Sequence, residues 1–88
     1  MKELSQLFKA LGDANRLVIL DDIAKGNKCG CTLIHQVNVT QPTLSYHLNQ
    51  LDKVGLTQSR KEGVWRKYSI NNQTIDQMIM FLQSLKQD

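Results

Sequence analysis

Residues 40–56 read "TQPTLSYHLNQLDKVGL", a stretch that carries the start, the apolar side and the end of one helix. Thr40 is a good helix N-cap, and Pro42 falls in the first turn, where its missing N–H group is harmless. Four positions recur on one side of this predicted helix: Leu44, Leu48, Leu51 and Gly55. The other faces are polar and stay available for contacts outside the core.

The segment that follows, "LTQSRKEGVWRKYSI" at 56–70, consists of two β-prone runs. We expect a hairpin with its turn at Glu62–Gly63. Residues 57–70 hold four basic groups against one acidic group, a net charge of +3, which equals the net charge of the whole chain. An excess concentrated in one short segment is typical of a nucleic-acid contact, and a solvated basic hairpin is the open alternative.

Upstream of Thr40, we predict a short helix from about Cys31 to Val37, followed by the turn "VNVT". A short helix, a turn and a polar-faced helix together form a helix-turn-helix motif. The basic hairpin after it is the expected wing. The fold class predicted from this order is mostly α with a small β-hairpin, a winged helix-turn-helix of the order α-α-α-α-β-β-α.

Two further helices precede the motif. The first carries an apolar stripe at helical spacing and ends at Gly12, and the second is capped by Asp13 and stops at Gly26. The stripes are Leu4, Leu7, Phe8 and Leu11 in the first helix, and Leu17, Leu20, Ile23 and Ala24 in the second.

A last helix is predicted from about Gln73 to Lys86. Its apolar set is too wide for a simple surface helix. We therefore expect part of it to face a second subunit, which makes the protein a homodimer; an extra stripe facing the chain's own core is the alternative. The apolar residues are Ile75, Met78, Ile79, Phe81, Leu82 and Leu85.

Length and composition predict a single domain over residues 1–88, with 41% hydrophobic and 22% charged residues. No stretch approaches the roughly 18 apolar residues of a membrane span, and "MKELSQLFKA" lacks the apolar core of a signal peptide. We expect a cytoplasmic protein with no membrane partner and with reduced thiols. No paired acid and base, phosphate-binding loop or nucleophile motif is present, so we predict no enzymatic activity.

Three segments together resemble the ArsR/SmtB family of winged-helix repressors: "LFKALGDANRLVILDDIAKG", "TQPTLSYHLNQLDKVGL" and "SRKEGVWRKYSI". The resemblance covers nearly the whole chain. It implies a homodimer that binds an imperfect palindrome in operator DNA and needs no cofactor to do so. It also implies that an inducer, usually a metal or metalloid ion, weakens this binding.

The resemblance places a recognition helix at Thr40 or Gln41 and a DNA-contacting wing after it. The implied base or near-base contacts are Gln41, Thr43, Ser45, Tyr46 and Asn49, and the implied phosphate or minor-groove contacts are Lys61, Arg66 and Lys67. We expect strand alternation to put some of the wing residues on the far face. His47 is expected to pack or form a hydrogen bond beside the helix, and Trp65 and Tyr68 to pack in the hairpin.

The dimer interface implied by the resemblance uses the first and last helices, in agreement with the wide apolar face of the last one. Its expected residues are Leu4, Leu7, Phe8, Ile75, Met78, Ile79, Phe81 and Leu82.

The two cysteines, Cys29 and Cys31, flank Gly30 in "CGC", which falls where arsenic-responsive members carry a similar motif. The resemblance implies that they bind trivalent arsenic or antimony, which prefer soft thiolate ligands. Because residues i and i+2 of a helix point about 200° apart, we expect chelation to unwind or bend the entry to the third helix. Gly30 is expected to supply unusual backbone angles.

Two alternatives stay open for the same thiols. Cys31 and His35 are spaced i, i+4, so that with Cys29 they supply three ligands for zinc or cadmium. A redox-responsive repressor is the other alternative, whereas a thiol-redox enzyme lacks its Cys-x-x-Cys signature. Trivalent arsenic favours three sulfurs, and Ile34 stands where family members with a third cysteine often carry it. A third sulfur would then come from a small thiol or from the partner subunit, or the site works with two.

Overall fold

The computed structural model describes residues 1–26, 29–35 and 37–88. Its elements follow the predicted order of four helices, a hairpin and a fifth helix. They are α1 (Lys2–Leu11), α2 (Ala14–Ala24), α3 (Gly30–Leu33), α4 (Gln41–Val54), β1 (Thr57–Glu62), β2 (Trp65–Ile70) and α5 (Asn72–Ser84).

The starts of α2, α4 and α5 are fixed by side-chain caps. The Asp13 carboxylate accepts from the backbone N–H groups of Asn15 and Arg16 at 2.9 and 3.2 Å. These two hydrogen bonds, that of Arg16 first, hold the pKa of Asp13 below its usual value. Thr40 caps α4 and Asn71 caps α5 in the same manner, so the sequence-based prediction of the α2 and α4 caps is confirmed.

The third helix is shorter than predicted, since it ends at Leu33 instead of near Val37. The N–H group of His35 donates to the carbonyl of Thr32 at 3.2 Å, an i to i+3 bond that tightens and closes the turn. Residue 36 of the predicted helix lies outside the described residues. Val37 itself is buried in the core.

The hairpin turn lies at Gly63–Val64, one residue later than predicted, because β1 ends at Glu62 and β2 begins at Trp65. Gly63 has a φ of +64°. A two-residue turn with glycine in its first position suits the right-handed twist of the strands, whereas the expected turn would have required positive φ at Glu62.

One apolar core joins α1, α2, α3, α4, the hairpin and α5. Its most deeply buried side chains are Ile19, Ile23, Leu33, Leu44, Leu51 and Leu56. They come from α2, from both helices of the helix-turn-helix (α3 and α4) and from the residue just before β1. The recognition helix α4 therefore packs on one continuous apolar core. Within the described part of the chain, every helix is too short or too polar to cross a membrane.

Candidate nucleic-acid interface and thiol site

The recognition helix α4 presents a polar face beside the wing. Gln41, Ser45 and Asn49 are exposed and line a groove of about 280 Å³ together with Trp65 and Arg66. Leu44 and Leu48 lie buried in the floor of the same groove, and the three exposed polar side chains are free to meet a ligand. Gly30, which lies between the two cysteines, also lines this groove.

Tyr46 and Thr43 are exposed but do not line that groove. The Tyr46 ring lies on the α1 and α2 side of α4, with the Arg16 guanidinium carbon 6.0 Å from its centroid. Thr43 belongs to the N-cap, where its hydroxyl accepts from the Thr40 hydroxyl at 3.0 Å. The five predicted contact residues of α4 therefore lie in three settings and not on one continuous surface.

His47 is buried on α4 and has a defined partner. The Arg16 Nε–H group donates to Nδ1 of His47 at 3.0 Å, and Arg16 Nη1 donates to the Ala10 carbonyl at 3.3 Å. Since Arg16 only donates, Nδ1 of His47 carries the lone pair. The prediction that His47 packs and forms a hydrogen bond beside the helix is confirmed. The sequence pattern gave no signal for Arg16 as its partner.

The wing places its basic residues on two faces. Lys61 pairs with Arg66 and Arg60 pairs with Lys67 across the strands. Successive residues of a strand alternate between faces, so Lys61 and Arg66 share one face while Lys67 lies on the other. All three predicted wing contacts are exposed, but they do not form one cluster.

Tyr68 and Trp65 behave differently. Tyr68 is buried in the core, as predicted, whereas Trp65 keeps 42% of its surface exposed beside the groove. Burial, and after it the negative charge of Asp52, raise the pKa of the Tyr68 hydroxyl above its usual value. Tyr68 therefore stays neutral in the physiological pH range and serves as packing.

Asp52 connects the end of the recognition helix to the wing. Its carboxylate accepts from the hydroxyl groups of Thr57 and Ser59 in β1. The Ser59 oxygen in turn accepts from Arg66 Nε at 3.1 Å. This chain of contacts was not predicted, because it depends on which face of the hairpin turns toward α4.

The two cysteines meet at the start of α3. Cys29 is the N-cap, with extended backbone angles, and its sulfur accepts from the Cys31 N–H group at 3.2 Å. The two residues are joined by a disulfide, with their Cα atoms 5.2 Å apart. Cys29 lies outside the helix and folds back over its first turn, so the two sulfurs meet while that turn stays formed; that chelation unwinds or bends the entry to α3 stays a prediction.

Cys29 also touches the wing through its backbone. It forms an isolated antiparallel bridge with Lys67 of β2 and is itself buried. The thiol site thus adjoins a residue predicted to contact DNA. The backbone of Cys29 therefore contacts β2 directly.

Gly30 does not adopt the unusual backbone angles that the sequence suggested. The positive φ angles of the described residues occur at Gly26, Gly55 and Gly63. A Cβ atom added at Gly30 would meet nothing within 4 Å. The glycine is therefore not required by the local backbone.

The three-ligand site for zinc or cadmium is not assembled. Over residues 1–26, 29–35 and 37–88, no three side chains of His, Cys, Asp or Glu come together in a group that could hold a metal ion. His35 is exposed after the end of α3 and does not join the two sulfurs. The donors that this site offers are the two sulfur atoms, which become thiolate ligands once their disulfide is reduced.

The expected interface residues divide into buried and exposed sets. Leu7 and Met78 are buried in the core of the single chain, so they are corrected to core residues that offer little surface to a partner. Phe8 and Phe81 pack ring against ring, with centroids 6.0 Å apart, and join α1 to α5. Leu4 and Ile75 are half-buried, while Ile79 and Leu82 are 45% and 51% exposed.

The sequence also matches a known protein family. Residues 13–59, which run from the cap of α2 into β1, match the family model described as bacterial regulatory protein, arsR family. The match contains the whole helix-turn-helix and both cysteines. The proteins of this family are transcriptional regulators and not enzymes, which agrees with the absence of catalytic motifs in the sequence.

Two relatives and one solved structure illustrate the similarity. An HTH-type transcriptional regulator of Methanocaldococcus jannaschii is 39% identical over 85 residues, which cover 96% of each chain. An arsenical resistance operon repressor of Staphylococcus aureus is 40% identical over 81 residues, 92% of this chain and 78% of that one. A homodimeric winged helix-turn-helix DNA-binding domain of Mycobacterium bovis, 26% identical, superposes with a TM-score of 0.77 over 96% of this chain and 78% of that one.

Proposed function

The chain belongs to the arsR family of bacterial regulatory proteins, and on that premise we propose that it is a repressor released from operator DNA by trivalent arsenic or antimony. The inducer binds Cys29 and Cys31. Residues 1–88 act as one DNA-binding domain, in the cytoplasm, where thiols stay reduced. No cofactor is required for DNA binding itself.

DNA contact is assigned to the groove between α4 and the wing. Gln41, Ser45 and Asn49 face a base edge there, and Arg66 supplies positive charge to the phosphates. Tyr46 and Thr43 contact the flank of the site, and Lys61 and Lys67 contact the backbone from either face of the hairpin. Two recognition helices of a dimer then reach half-sites about 34 Å apart.

A homodimer is supported by α5. This helix buries only Thr74 and Met78 among its described residues and leaves large apolar side chains in solvent, namely Ile79, Met80 and Leu82, with Leu85 just beyond its end. A small domain rarely exposes such a contiguous apolar face without a partner. The homodimeric state of the Mycobacterium bovis domain supports a second copy of this chain as that partner.

If α5 forms the dimer interface, a charge placed in its apolar face should separate the two subunits. Replacing Ile79 with Glu places a charge in the apolar face of α5, and we expect the protein to become monomeric and its operator affinity to fall at least tenfold. Gln77→Glu adds the same charge to an exposed polar position of the same helix and serves as the control. Light scattering after size exclusion measures the mass; a dimeric Ile79→Glu variant would place the interface elsewhere.

Ligand chemistry favours a soft trivalent ion. Two thiols that share one arsenic atom displace two hydroxide ligands of arsenous acid as water, forming two As–S bonds as two As–O bonds break. Soft thiolates suit such ions better than they suit magnesium or calcium. The third ligand is a retained hydroxide or an added small thiol, because Ile34 stands where a third cysteine would be needed.

Coupling to DNA runs through two contacts of Cys29. Its sulfur holds the cap of α3, and its backbone pairs with Lys67 of the wing. An ion that takes up the sulfur lone pairs competes with the cap hydrogen bond and shifts the segment that borders β2. A linkage of about 1–3 kcal/mol, or 5–150-fold in DNA affinity, is the ordinary size of such coupling.

The observation that carries this proposal is the meeting of the two sulfur atoms at the edge of the wing. The test is fluorescence anisotropy of reduced protein on a candidate palindromic operator, titrated with arsenite and with antimonite. Release by either ion is expected in the wild type and is expected to be lost in both Cys29→Ser and Cys31→Ser. The serine variants are expected to bind the operator as the wild type does.

Two controls separate the outcomes. Thr32→Ser lies one residue beyond the thiols and keeps both of them, so it should respond like the wild type. Zinc and cadmium are titrated in parallel, and release by them alone would replace the metalloid proposal with a divalent-metal site. Tight operator binding that arsenite and antimonite leave unchanged would contradict the proposal.

A redox-responsive repressor is the second candidate, and the disulfide between Cys29 and Cys31 favours it. Oxidised glutathione is a suitable oxidant, since two exchange steps reduce it to two thiols as the protein disulfide forms. If this treatment releases DNA from the wild type, dithiothreitol reverses the release and arsenite has no effect, the second candidate replaces the first.

A further inference from the structure

We propose that Asp52 and Ser59 are positioning residues that aim the wing's Arg66 at a DNA phosphate. The inference rests on the proposed function, in that it assumes that Arg66 contacts DNA. Neither residue was assigned a DNA-binding role by its charge or position in the sequence. One is an acidic residue near the end of the recognition helix, and the other is a small polar residue inside β1.

The direction of each hydrogen bond is fixed by chemistry. An ionised carboxylate only accepts, so the single proton of the Ser59 hydroxyl points to Asp52. The lone pairs of the Ser59 oxygen then face away from Asp52 and accept from Arg66 Nε at 3.1 Å. A charged group at each end strengthens both bonds, and each bond polarises the other.

Strand register explains why Ser59 and not its neighbour makes this contact. Ser59 pairs with Tyr68 and Lys61 pairs with Arg66, which puts Ser59 diagonal to Arg66 on one face of the hairpin. Diagonal neighbours of this kind lie within reach of a long side chain. The same face turns toward α4, where Thr57 also donates to Asp52.

The contact uses the inner nitrogen of the guanidinium group. In the described residues, the hydrogen-bond acceptor of Arg66 is the Ser59 oxygen at Nε, which leaves both terminal nitrogens for other partners. A guanidinium held by Nε presents those two nitrogens in a fixed plane, the geometry that suits two oxygens of one phosphate. Because the side chain is already ordered, DNA binding loses less rotamer entropy.

Arg66 also lies on the groove that Gln41, Ser45 and Asn49 line. Asp52 belongs to the same helix as these three residues. The network therefore fixes the position of a wing charge relative to the recognition helix, and not merely relative to the hairpin. A purely structural role for Asp52 and Ser59 would stabilise the hairpin equally whether or not Arg66 is present.

A double-mutant cycle distinguishes positioning from stabilisation. The variants are Ser59→Ala, Arg66→Ala and the two combined, with the exposed neighbour Gln58→Ala as control. Binding is measured on a mixed-sequence DNA duplex of about three helical turns, over a series of salt concentrations. Circular dichroism and thermal melting of each variant establish that it is folded.

Arg66→Ala is expected to weaken binding and to lower the slope of log affinity against log salt by about one phosphate contact. Ser59→Ala is expected to weaken binding about fivefold in the wild-type background and not at all in the Arg66→Ala background. Ser59→Thr keeps the hydroxyl group and should bind as the wild type does. Gln58→Ala should also leave the affinity unchanged.

Failure of this inference can be distinguished from failure of the proposed function. If Arg66→Ala leaves both the affinity and the salt slope unchanged, Arg66 does not contact DNA, and the wing contact of the proposed function falls together with this inference. If Arg66→Ala acts as expected but Ser59→Ala is silent, or is equally harmful in both backgrounds, the positioning role alone is overturned.

Discussion

The two helices of the helix-turn-helix differ in what holds their ends. The 14-residue α4 begins at the hydroxyl of Thr40 and ends at Gly55, both residues of its own segment. The four-residue α3 is capped by the sulfur of Cys29, which is tied to the distant Lys67. Both caps of the recognition helix therefore come from its own segment, whereas the N-cap of its neighbour is a cysteine whose backbone pairs with the wing. The proposed inducer signal would therefore enter this motif at α3.

The largest expected effects test whether both helices are equally anchored in the core. Leu51 of α4 is 0% exposed and Leu33 of α3 is 1% exposed. We expect Leu51→Ala and Leu33→Ala each to lower the free energy of unfolding by about 2–5 kcal/mol in urea titrations. Asn49→Ala, at an exposed position of α4, is the control. A near-neutral Leu33→Ala would mean that α3 is not held by its packing and that the two helices differ in more than their ends.

A smaller loss of stability is expected when Gly55 is replaced with alanine, and no loss is expected at Gly30. Gly55 has a φ of +87°, so Gly55→Ala should cost about 1–2 kcal/mol of stability through the backbone alone. Gly30 has no such angle and has open space around it, so Gly30→Ala should leave stability unchanged or slightly higher. Thermal melts of both variants measure the difference. A costly Gly30→Ala would restore a backbone role for the glycine between the thiols.

The next comparison is between the N-caps of α4 and α3, as contributions to the stability of the reduced protein. Thr40→Ala removes the oxygen that caps α4 and should cost about 1 kcal/mol of stability. Cys29→Ser should cost less, because a serine oxygen continues to accept from the Cys31 N–H group. Urea titration under reductant gives both values. A loss in Cys29→Ser as large as that in Thr40→Ala would show that the sulfur does more than cap the helix.

The smallest expected effect is a loss of stability in acid, through the N-cap of α2. The lowered pKa of Asp13 means that its contribution to stability is complete above its unfolded value of about 3.8 and is lost as the pH falls through the lower folded value. Asp13→Asn keeps the cap without the titration. We therefore expect the wild type to lose stability relative to Asp13→Asn below that pH, as followed by circular dichroism. Parallel curves for the two proteins would argue against a pH-dependent cap.

Much of α4 was predictable because its signals are local. The cap, the proline in the first turn, the leucine spacing and the terminal glycine all lie within residues 40–56. The wing network was not predictable in the same manner. A turn at Glu62–Gly63 would set Arg66 opposite Ser59, whereas the observed turn sets it opposite Lys61, and no local pattern places Asp52 beneath that face.

The thiol site, too, was only partly predictable from local sequence patterns. The sequence located both cysteines at the start of α3, but helix geometry suggested that their sulfurs point apart. Cys29 escapes that geometry because its backbone is extended, with φ −95° and ψ 134°, and pairs with Lys67 of a strand that follows much later in the chain. The burial of Leu7 and Met78 likewise depends on how α1 and α5 pack on the core, which periodicity alone does not give.

The measurement that tests the central claim most directly is the affinity of the reduced protein for arsenite, with and without saturating operator DNA. Linkage requires that if arsenite weakens DNA binding, DNA weakens arsenite binding by the same factor. The account predicts a loss of about 5–150-fold in arsenite affinity on DNA, matched by the loss of DNA affinity in arsenite. Equal arsenite affinities for the free and DNA-bound protein would contradict it, because the two sulfurs would then bind the ion without any influence on DNA.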